Sequence, residues 1–101
     1  MIVRIVKMQF RENAVKDFLQ LFSESKSKIG NFEGVKKLQL LQTAGDKRNI
    51  FFTYSYWESE EALEKYRNSK LFKGIWKQTK ALFEERAEAW STTIANEFEP
   101  V

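Results

Sequence analysis

The sequence contains no cysteine and no histidine, and these absences narrow the chemistry that is open to the chain. Without cysteine there is no disulfide and no thiolate nucleophile, and a zinc site built from Cys and His is excluded. Without histidine the most common general base and the His ligand of haem iron are missing as well. Any catalysis must therefore depend on other side chains.

The chain also lacks a long apolar run, a block of like charges, internal repeats and low-complexity tracts. The opening residues MIVRIVKMQF are apolar, but Arg4 and Lys7 interrupt them, which is atypical of a signal peptide or a membrane span. We therefore expect a cytoplasmic protein without membrane contact. The net charge of +3 comes from lysines interleaved with glutamates, a pattern that argues only weakly for nucleic acid.

Aromatic residues, by contrast, are abundant, with nine Phe, three Tyr and three Trp in a chain of 101 residues. The 43% apolar and 31% charged composition is typical of a globular protein. The length predicts one domain over residues 1–101 with a single core and a C-terminal tail from about residue 96. So many aromatic side chains indicate a large buried surface.

Hydrophobic periodicity in the first half of the chain predicts a strand, a helix and a hairpin. Residues 2–10 alternate as a strand, and from about Asn13 apolar residues follow helical spacing as far as Gly30. We expect Gly30 to end that helix in the left-handed conformation. The segments VKKLQLLQT and NIFFTYSYW then alternate as two strands joined by a connection containing Gly and Asp.

The second half predicts an interrupted helix and a final strand. Ser59 is placed to cap a helix that Asn68 and Ser69 interrupt, and the segment AEAWSTTIANEF is predicted to be the last strand. One apolar stripe follows the interruption, formed by Phe72, Ile75, Trp76, Thr79, Leu82 and Phe83. The order β-α-β-β-α-β is typical of a ferredoxin-like α+β fold, a four-stranded antiparallel sheet with its helices on one face.

The third strand, FFTYSYW, carries aromatic residues on both faces. Helices of one chain cover only one sheet face, so Phe52, Tyr54 and Tyr56 on the other face predict a homodimer that packs sheet against sheet. An alternative is stacking of single-stranded nucleic acid on these rings, as in RNA-binding domains of the same topology. The segment RNIFFTYSYW lacks the motif of those domains, so we expect no nucleic acid.

The run YWESEEALEKYRNSKLFK, together with FEGV before the second strand, resembles the antibiotic biosynthesis monooxygenase family. The resemblance covers roughly residues 1–95. It implies a dimeric α/β barrel that oxidises a small electron-rich aromatic compound, such as a quinol, phenol or anthrone, with molecular oxygen. It also implies that the reaction needs no flavin, metal or haem, so we predict no cofactor.

The resemblance further implies a pocket between the sheet and the helices. The family's third-strand Trp corresponds to Trp57, whereas the Asn four residues earlier is replaced by Thr53, which offers one hydroxyl instead of an amide. Trp57 and Thr53 are the candidate catalytic residues. A related branch degrades haem with a His and an Asn at the positions of Trp76 and Val6, and this chain has no histidine.

The candidate substrate-binding residues share the Thr53 face of the sheet or lie on the facing helical stripe. They are Arg4, Val6, Met8, Ser55, Phe72 and Trp76. Each also has a purely structural interpretation: Trp57 and Trp76 as core residues, Ser55 as a small packing residue, and Arg4 as an edge residue whose head reaches water. Tyr66, Glu58 or a desolvated Lys could accept a proton, and no motif selects among them.

Two functions stay open at this point. The first is a cofactor-independent monooxygenase, and the second is a non-catalytic homodimer that binds a small molecule or serves in a stress response. The replacement of Asn by Thr53 and the absence of an identifiable base favour the second.

Overall fold

The structure is a computed structural model that describes residues 1–101. It contains a four-stranded antiparallel sheet and three α-helices, which confirms the ferredoxin-like β-α-β-β-α-β fold. None of these helices combines the length and the apolar character needed to cross a membrane. The elements are β1 (Ile2–Phe10), α1 (Val15–Gly30), β2 (Val35–Gln42), β3 (Ile50–Trp57), α2 (Glu60–Arg67), α3 (Lys70–Lys80) and β4 (Phe83–Thr92).

The sheet has the strand order β2-β3-β1-β4, so β1 and β3 are the inner strands. β1 is antiparallel to both of its neighbours, and its register places Arg4 opposite Ser55 and Val6 opposite Thr53 on β3. Residues directly opposite each other share a sheet face. The alternation expected for β1 and β3 is therefore confirmed, and the predicted candidate residues of both strands lie on one face.

Serine side chains start the two later helices; the sequence predicts this cap at Ser59, whereas for Ser69 it predicts only an interruption of the helix. The Ser59 hydroxyl accepts a hydrogen bond from the Ala62 backbone N–H at 3.1 Å, and Ser69 accepts one from Phe72 at the same distance. Each of these bonds satisfies one of the N–H groups that a helix start leaves free. Asn68 is the C-cap of α2, and α3 begins at Lys70 after the Ser69 cap, so the predicted interruption of the helix is confirmed.

The expectation that Gly30 adopts a left-handed conformation is wrong. Gly30 remains helical, and Asn31 follows it with φ of −95° while its N–H bonds to the Ser27 carbonyl at 3.0 Å. Positive φ occurs instead at Gly34 (93°) and Gly45 (105°). Gly34 turns the chain into β2 directly against Ala62 of α2, so the sharp turn lies where two elements approach each other and not at the helix end.

The predicted boundary between the last helix and the last strand is also wrong. α3 ends at Lys80, and β4 already begins at Phe83, four residues before the predicted start. Phe83 pairs with Phe10 of β1, and their ring centroids are 5.3 Å apart. Pairing with β1 therefore overrides the helical spacing of Leu82 and Phe83. The strand ends at Thr92, and residues 93–101 have no regular structure.

The buried side chains under the helices form two separate clusters, one at each end of the β1–β3 ladder. The Trp57 cluster consists of Ile2, Ile29, Trp57, Leu63 and Tyr66. The Phe10 cluster consists of Met8, Phe10, Phe18 and Phe51, and its Phe10 and Phe18 rings stack at 4.0 Å. Large side chains thus join the helices to both ends of the sheet, and the middle of the ladder belongs to neither cluster.

The sheet face away from the helices carries aromatic and aliphatic side chains beside charged ones, among them Lys7, Lys37 and Glu88. Tyr54 and Tyr56 lie side by side with ring centroids 5.7 Å apart, and the Lys37 ammonium lies 5.8 Å from the Tyr56 ring. At the sheet edges, Leu41 and Trp90 are 44% and 46% exposed. No helix of the chain covers this face, as the analysis of β3 predicts.

The close approach of Gly34 to Ala62 leads to a prediction about stability. A Cβ added at Gly34 would lie 2.5 Å from the Ala62 Cβ, whereas one at Gly45 would meet nothing within 4 Å. Both positions have positive φ, so alanine strains the backbone at each. We expect Gly34→Ala to lower the free energy of unfolding by about 1–3 kcal/mol more than Gly45→Ala, measured by urea denaturation. Equal losses in the two variants would contradict the contact.

Candidate functional site

A cavity of about 320 Å³ lies between the sheet and the helices, in the gap between the Trp57 and Phe10 clusters. Its floor is the middle of the sheet, formed by the Val6–Thr53 and Arg4–Ser55 pairs. These side chains are shorter or more polar than the pairs at both ends of the ladder, which contain Trp57 and Phe51, so they leave the space above them unfilled. β4 extends this floor with two alanines, Ala87 and Ala89. The cavity therefore results from small residues in the middle of a sheet whose ends carry large ones.

The walls of the cavity are mainly apolar and come from all three helices. α1 contributes Phe18, Phe22 and Ile29, and α2 contributes Leu63, Tyr66 and Arg67. The lining residues of α3 are Phe72, Ile75, Trp76 and Thr79. Arg67 and Ala89 are exposed to solvent, so they mark the side on which the cavity opens.

The structure brings every candidate catalytic and substrate-binding residue of the sequence analysis to this one cavity. The lining includes Thr53, Ser55, Trp57, Arg4, Val6, Met8, Phe72 and Trp76. Their shared location follows from the period-2 faces of β1 and β3 and from the apolar stripe of α3. Their roles in binding or catalysis remain predictions.

The indole N–H of Trp57 is already engaged within the protein. It donates a hydrogen bond to the Ser55 Oγ at 3.0 Å, and both residues are buried, with Trp57 only 1% exposed. The indole therefore has no donor left for a ligand. Because the Ser55 oxygen accepts this bond, its own O–H remains available as a donor. Trp57 thus positions Ser55 and packs in the core, and the donor that this pair leaves available is the Ser55 hydroxyl.

The Thr53 hydroxyl is the free hydroxyl on the cavity floor. No hydrogen bond joins it to another protein group, and Thr53 lines the cavity. The other lining threonine, Thr79, donates to the Ile75 carbonyl of its own helix at 2.7 Å. Thr53 and Ser55 therefore provide two adjacent hydroxyl donors on one strand, two residues apart.

Aromatic rings form a continuous wall along one side of the cavity. Trp57 contacts Tyr66 at 5.0 Å, and Tyr66 contacts Phe72 at 5.2 Å between ring centroids. Phe72 and Trp76 then stack at 5.9 Å with an angle of 12° between their planes. A wall of rings suits a flat aromatic ligand better than a branched aliphatic one.

Tyr66 lies on this wall in its neutral form. Burial raises the pKa of Tyr66 to about 12, because the phenolate would lose its hydration. At neutral pH its hydroxyl is therefore a hydrogen-bond donor, and it is a poor proton acceptor. Glu58, another candidate base, does not line the cavity.

Arg4 lies on an inner strand, so the alternative that places it at a sheet edge is wrong. Its side chain is half-buried, and one guanidinium nitrogen donates to the Ser91 Oγ of β4 at 2.9 Å. Burial and the positive charge of Arg67 lower the pKa of Arg4, whereas Glu64 opposes that shift. The guanidinium still carries its charge at neutral pH, so Arg4 gives the cavity a cationic end.

The sequence analysis missed two features of the site. Arg67 has the appearance of an ordinary surface residue, three positions after Glu64 on an amphipathic helix, and nothing in its spacing distinguishes it from the surrounding charged residues. Ala87 and Ala89 alternate with Glu88 and Trp90, which is a signal for small residues on one face of a strand. The pattern alone does not show that the two alanines line the cavity; that follows only from the pairing of β4 with β1.

Comparison with solved structures identifies proteins of the same fold. A crystal structure of an antibiotic biosynthesis monooxygenase has a TM-score of 0.86 at 14% identity, covering 95% of this chain and 100% of that one. A conserved protein from Methanosarcina mazei has a TM-score of 0.84 at 20% identity, covering 91% of each chain. SnoaB from Streptomyces nogalater, a cofactor-independent oxygenase, has a TM-score of 0.85 at 16% identity, covering 98% and 97%.

Identities this low show a shared fold and no more, and no curated protein matches the sequence. The sequence itself matches the family model for antibiotic biosynthesis monooxygenases over residues 1–78. That match includes β1, β3 and α2, which supply Arg4, Thr53, Ser55, Tyr66 and Arg67, the polar residues of the cavity other than Thr79 of α3. The resemblance of YWESEEALEKYRNSKLFK is confirmed, and the chain belongs to the antibiotic biosynthesis monooxygenase family.

Proposed function

We propose that the protein is a cofactor-independent monooxygenase that oxidises a small electron-rich aromatic compound, a quinol, phenol or anthrone, in the cavity between its sheet and helices. One observation carries the proposal: the cavity combines an aromatic wall with the hydroxyls of Thr53 and Ser55 at its floor. Few polar groups in an otherwise apolar pocket orient a ligand, while the apolar walls exclude water. Family membership supports the same activity.

The proposed reaction draws its electrons from the substrate. The anion of a phenol or anthrone transfers one electron to O₂, and the resulting radical and superoxide combine to form a C–O bond. Protonation gives a hydroperoxide at a carbon that still bears hydrogen, and loss of water turns this carbon into a carbonyl. One oxygen atom stays in the product and the other leaves as water, so a CH₂ group and O₂ give C=O and H₂O.

The protein's contribution to such a reaction is to hold and orient the substrate. The Ser55 and Thr53 hydroxyls donate hydrogen bonds to a substrate oxygen, and Trp57 fixes the orientation of Ser55. Phe72 and Trp76 fix the plane of the rings. Alignment of the reacting carbon and exclusion of water lower the barrier without any covalent participation of the protein.

A second candidate function is a homodimeric module that binds a small molecule without turning it over. One observation favours it: Tyr66 is neutral, and no Asp, Glu or Lys side chain lines the cavity to accept a proton. Binding alone needs no such group. The two functions share one site and differ only in whether oxygen is consumed.

We also propose that two copies of the chain pair through the open sheet face. Phe52, Tyr54 and Tyr56 supply the aromatic residues that are enriched in the buried centre of protein interfaces. The half-exposed Trp90 lies on the same face, beside Ile5 of β1. An uncovered face with these aromatic side chains is unfavourable in water, and a second copy would cover it with the same surface.

Oxygen consumption tests the proposed activity. We expect the protein to accelerate O₂ uptake with at least one compound from a panel of hydroquinones, phenols and anthrones, measured with an oxygen electrode. Thr53→Val removes only the free hydroxyl and should lower kcat/KM about 10- to 100-fold, since a lost hydrogen bond to a charged group costs about 1.5–3 kcal/mol. The melting temperature should stay unchanged.

Thr93→Val is the matched control, because Thr93 lies in the exposed chain after β4 and should leave the rate unaltered. Binding of panel compounds without any protein-dependent O₂ uptake would refute the monooxygenase and leave the binding module. Equal rates for wild type and Thr53→Val would remove Thr53 from the site while leaving the activity in place.

Sedimentation equilibrium at micromolar concentration tests the assembly. We expect a dimer of the 12.0 kDa chain, and we expect Tyr54→Glu to raise the dissociation constant at least about tenfold by burying an unpaired charge. Leu19→Glu is the control, because Leu19 is a large exposed apolar residue of α1, 41% exposed and remote from the sheet face. A monomeric wild type would contradict the proposed interface.

A further inference from the structure

The charged side chains that line the cavity all have the same sign. They are Arg4 from β1 and Arg67 from α2, and the lining contains no Asp, Glu or Lys. The remaining polar lining residues are Ser55, Thr53, Thr79 and Tyr66, which are neutral at neutral pH. A cavity that is apolar over most of its surface therefore has a cationic end with no balancing charge inside it.

Arg4 has no acidic partner. The only ion pairs in the structure are Lys65–Glu33 and Arg67–Glu64, so the Arg4 guanidinium bonds to one neutral hydroxyl, Ser91 Oγ. Four of its five N–H groups are free of protein acceptors. A buried cation is normally paired with a carboxylate, whereas the half-buried Arg4 bonds only to a hydroxyl, and the neighbouring Arg67 adds positive charge that Glu64 offsets in part.

The charged and polar groups around Arg4 come from α2, β3 and β4. α2 contributes Arg67, the neutral Tyr66 and, at the rim, the carboxylate of Glu64, whose side chain is 64% exposed. β3 and β4 contribute the hydroxyls of Ser55 and Ser91, and the lining residues of α1 and α3 carry no charge. Glu64 pairs with Arg67 at 3.5 Å and does not line the cavity, so its negative charge offsets the effect of Arg67 on Arg4 only in part and from outside the cavity.

We propose that the cavity binds its aromatic ligand as a preformed anion, with the ionised oxygen of a phenol or enol held by Arg4 and Arg67. This inference rests on the proposed function only for the identity of the site. The ring lies along the aromatic wall of Phe72 and Trp76, and the ionised oxygen accepts hydrogen bonds from the two guanidinium groups. The ligand class is therefore a flat phenol or enol that ionises near or below neutral pH.

The proposal explains how a cavity without a base can act on an acidic substrate. The proton leaves the hydroxyl for bulk water before or during binding, so no side chain has to accept it. The two positive charges lower the pKa of the bound hydroxyl, because a nearby opposite charge favours the ionised form. The anion that results is the form that transfers an electron to O₂ in the proposed reaction.

The test uses 4-nitrophenol, whose anion absorbs visible light and which ionises near neutral pH. We expect the protein to shift the absorbance titration of 4-nitrophenol to lower pH. Isothermal titration calorimetry should give at least about tenfold tighter binding of 4-nitrophenolate than of 4-nitroanisole, its uncharged methyl ether, which corresponds to about 1.4 kcal/mol. Neither readout depends on catalytic turnover.

Variants assign the effect to the two arginines. Arg4→Met keeps an apolar stem without the charge and should weaken phenolate binding about tenfold, while 4-nitroanisole binding stays the same. Arg67→Met should have the same direction of effect, and because Arg67 is exposed this variant tests the proposal even if Arg4→Met fails to fold. Arg48→Met, in the exposed β2–β3 connection, is the control and should change neither.

The outcomes separate this inference from the proposed function. Equal affinity for 4-nitrophenolate and 4-nitroanisole, no binding of either, or phenolate binding that survives both arginine substitutions would overturn the inference. Oxygen uptake with a neutral substrate would then leave the monooxygenase standing without it. An arginine-dependent preference for phenolate with no oxygen uptake would support the anion site and refute the monooxygenase.

Discussion

The site depends on one packing constraint, the uneven size of side chains along the inner pair of strands. Large residues at the ends of β1 and β3 join the sheet to the helices through the Trp57 and Phe10 clusters. Thr53 and Ser55 in the middle of β3 cannot reach α3. The two clusters hold the helices at a fixed height above the sheet, so the space between them persists as a cavity. The uneven size of the side chains along β1 and β3 therefore accounts both for the packed clusters at the ends of the strands and for the cavity between them.

The polarity of the cavity follows from which residues occupy that middle. A hydroxyl pair on β3 and a guanidinium on β1 lie at one end, and the aromatic wall of α2 and α3 completes the enclosure. None of these groups accepts a proton at neutral pH, because the guanidinium is already protonated and the hydroxyls are neutral; burial favours the neutral form of Tyr66 further by raising its pKa. In the proposed function, this set of residues selects an anion and orients a ring, and reactivity then comes from the ligand.

Much of this arrangement could be predicted from the sequence because strand faces follow a strict period of two. The alternation in FFTYSYW separates Thr53 from Tyr54, and that separation is confirmed. The start of β4 could not be predicted, since Glu84, Glu85 and Arg86 hide the strand pattern and pairing with β1 decides it. Nor could the bond between Trp57 and Ser55, which depends on side-chain rotamers, or the role of Arg67, which needs the packing of α2 over the sheet.

The most direct test of the account is a crystal structure of the protein grown with 4-nitrophenol at a pH where the free phenol is ionised. The account predicts the ring against Trp76 in the cavity between sheet and helices, with its phenolate oxygen within hydrogen-bond distance of the Arg4 guanidinium. The opposite orientation, with the nitro group toward Arg4, would contradict the anion site. A cavity filled by collapsed side chains, with the ligand bound only at the surface, would contradict the account as a whole.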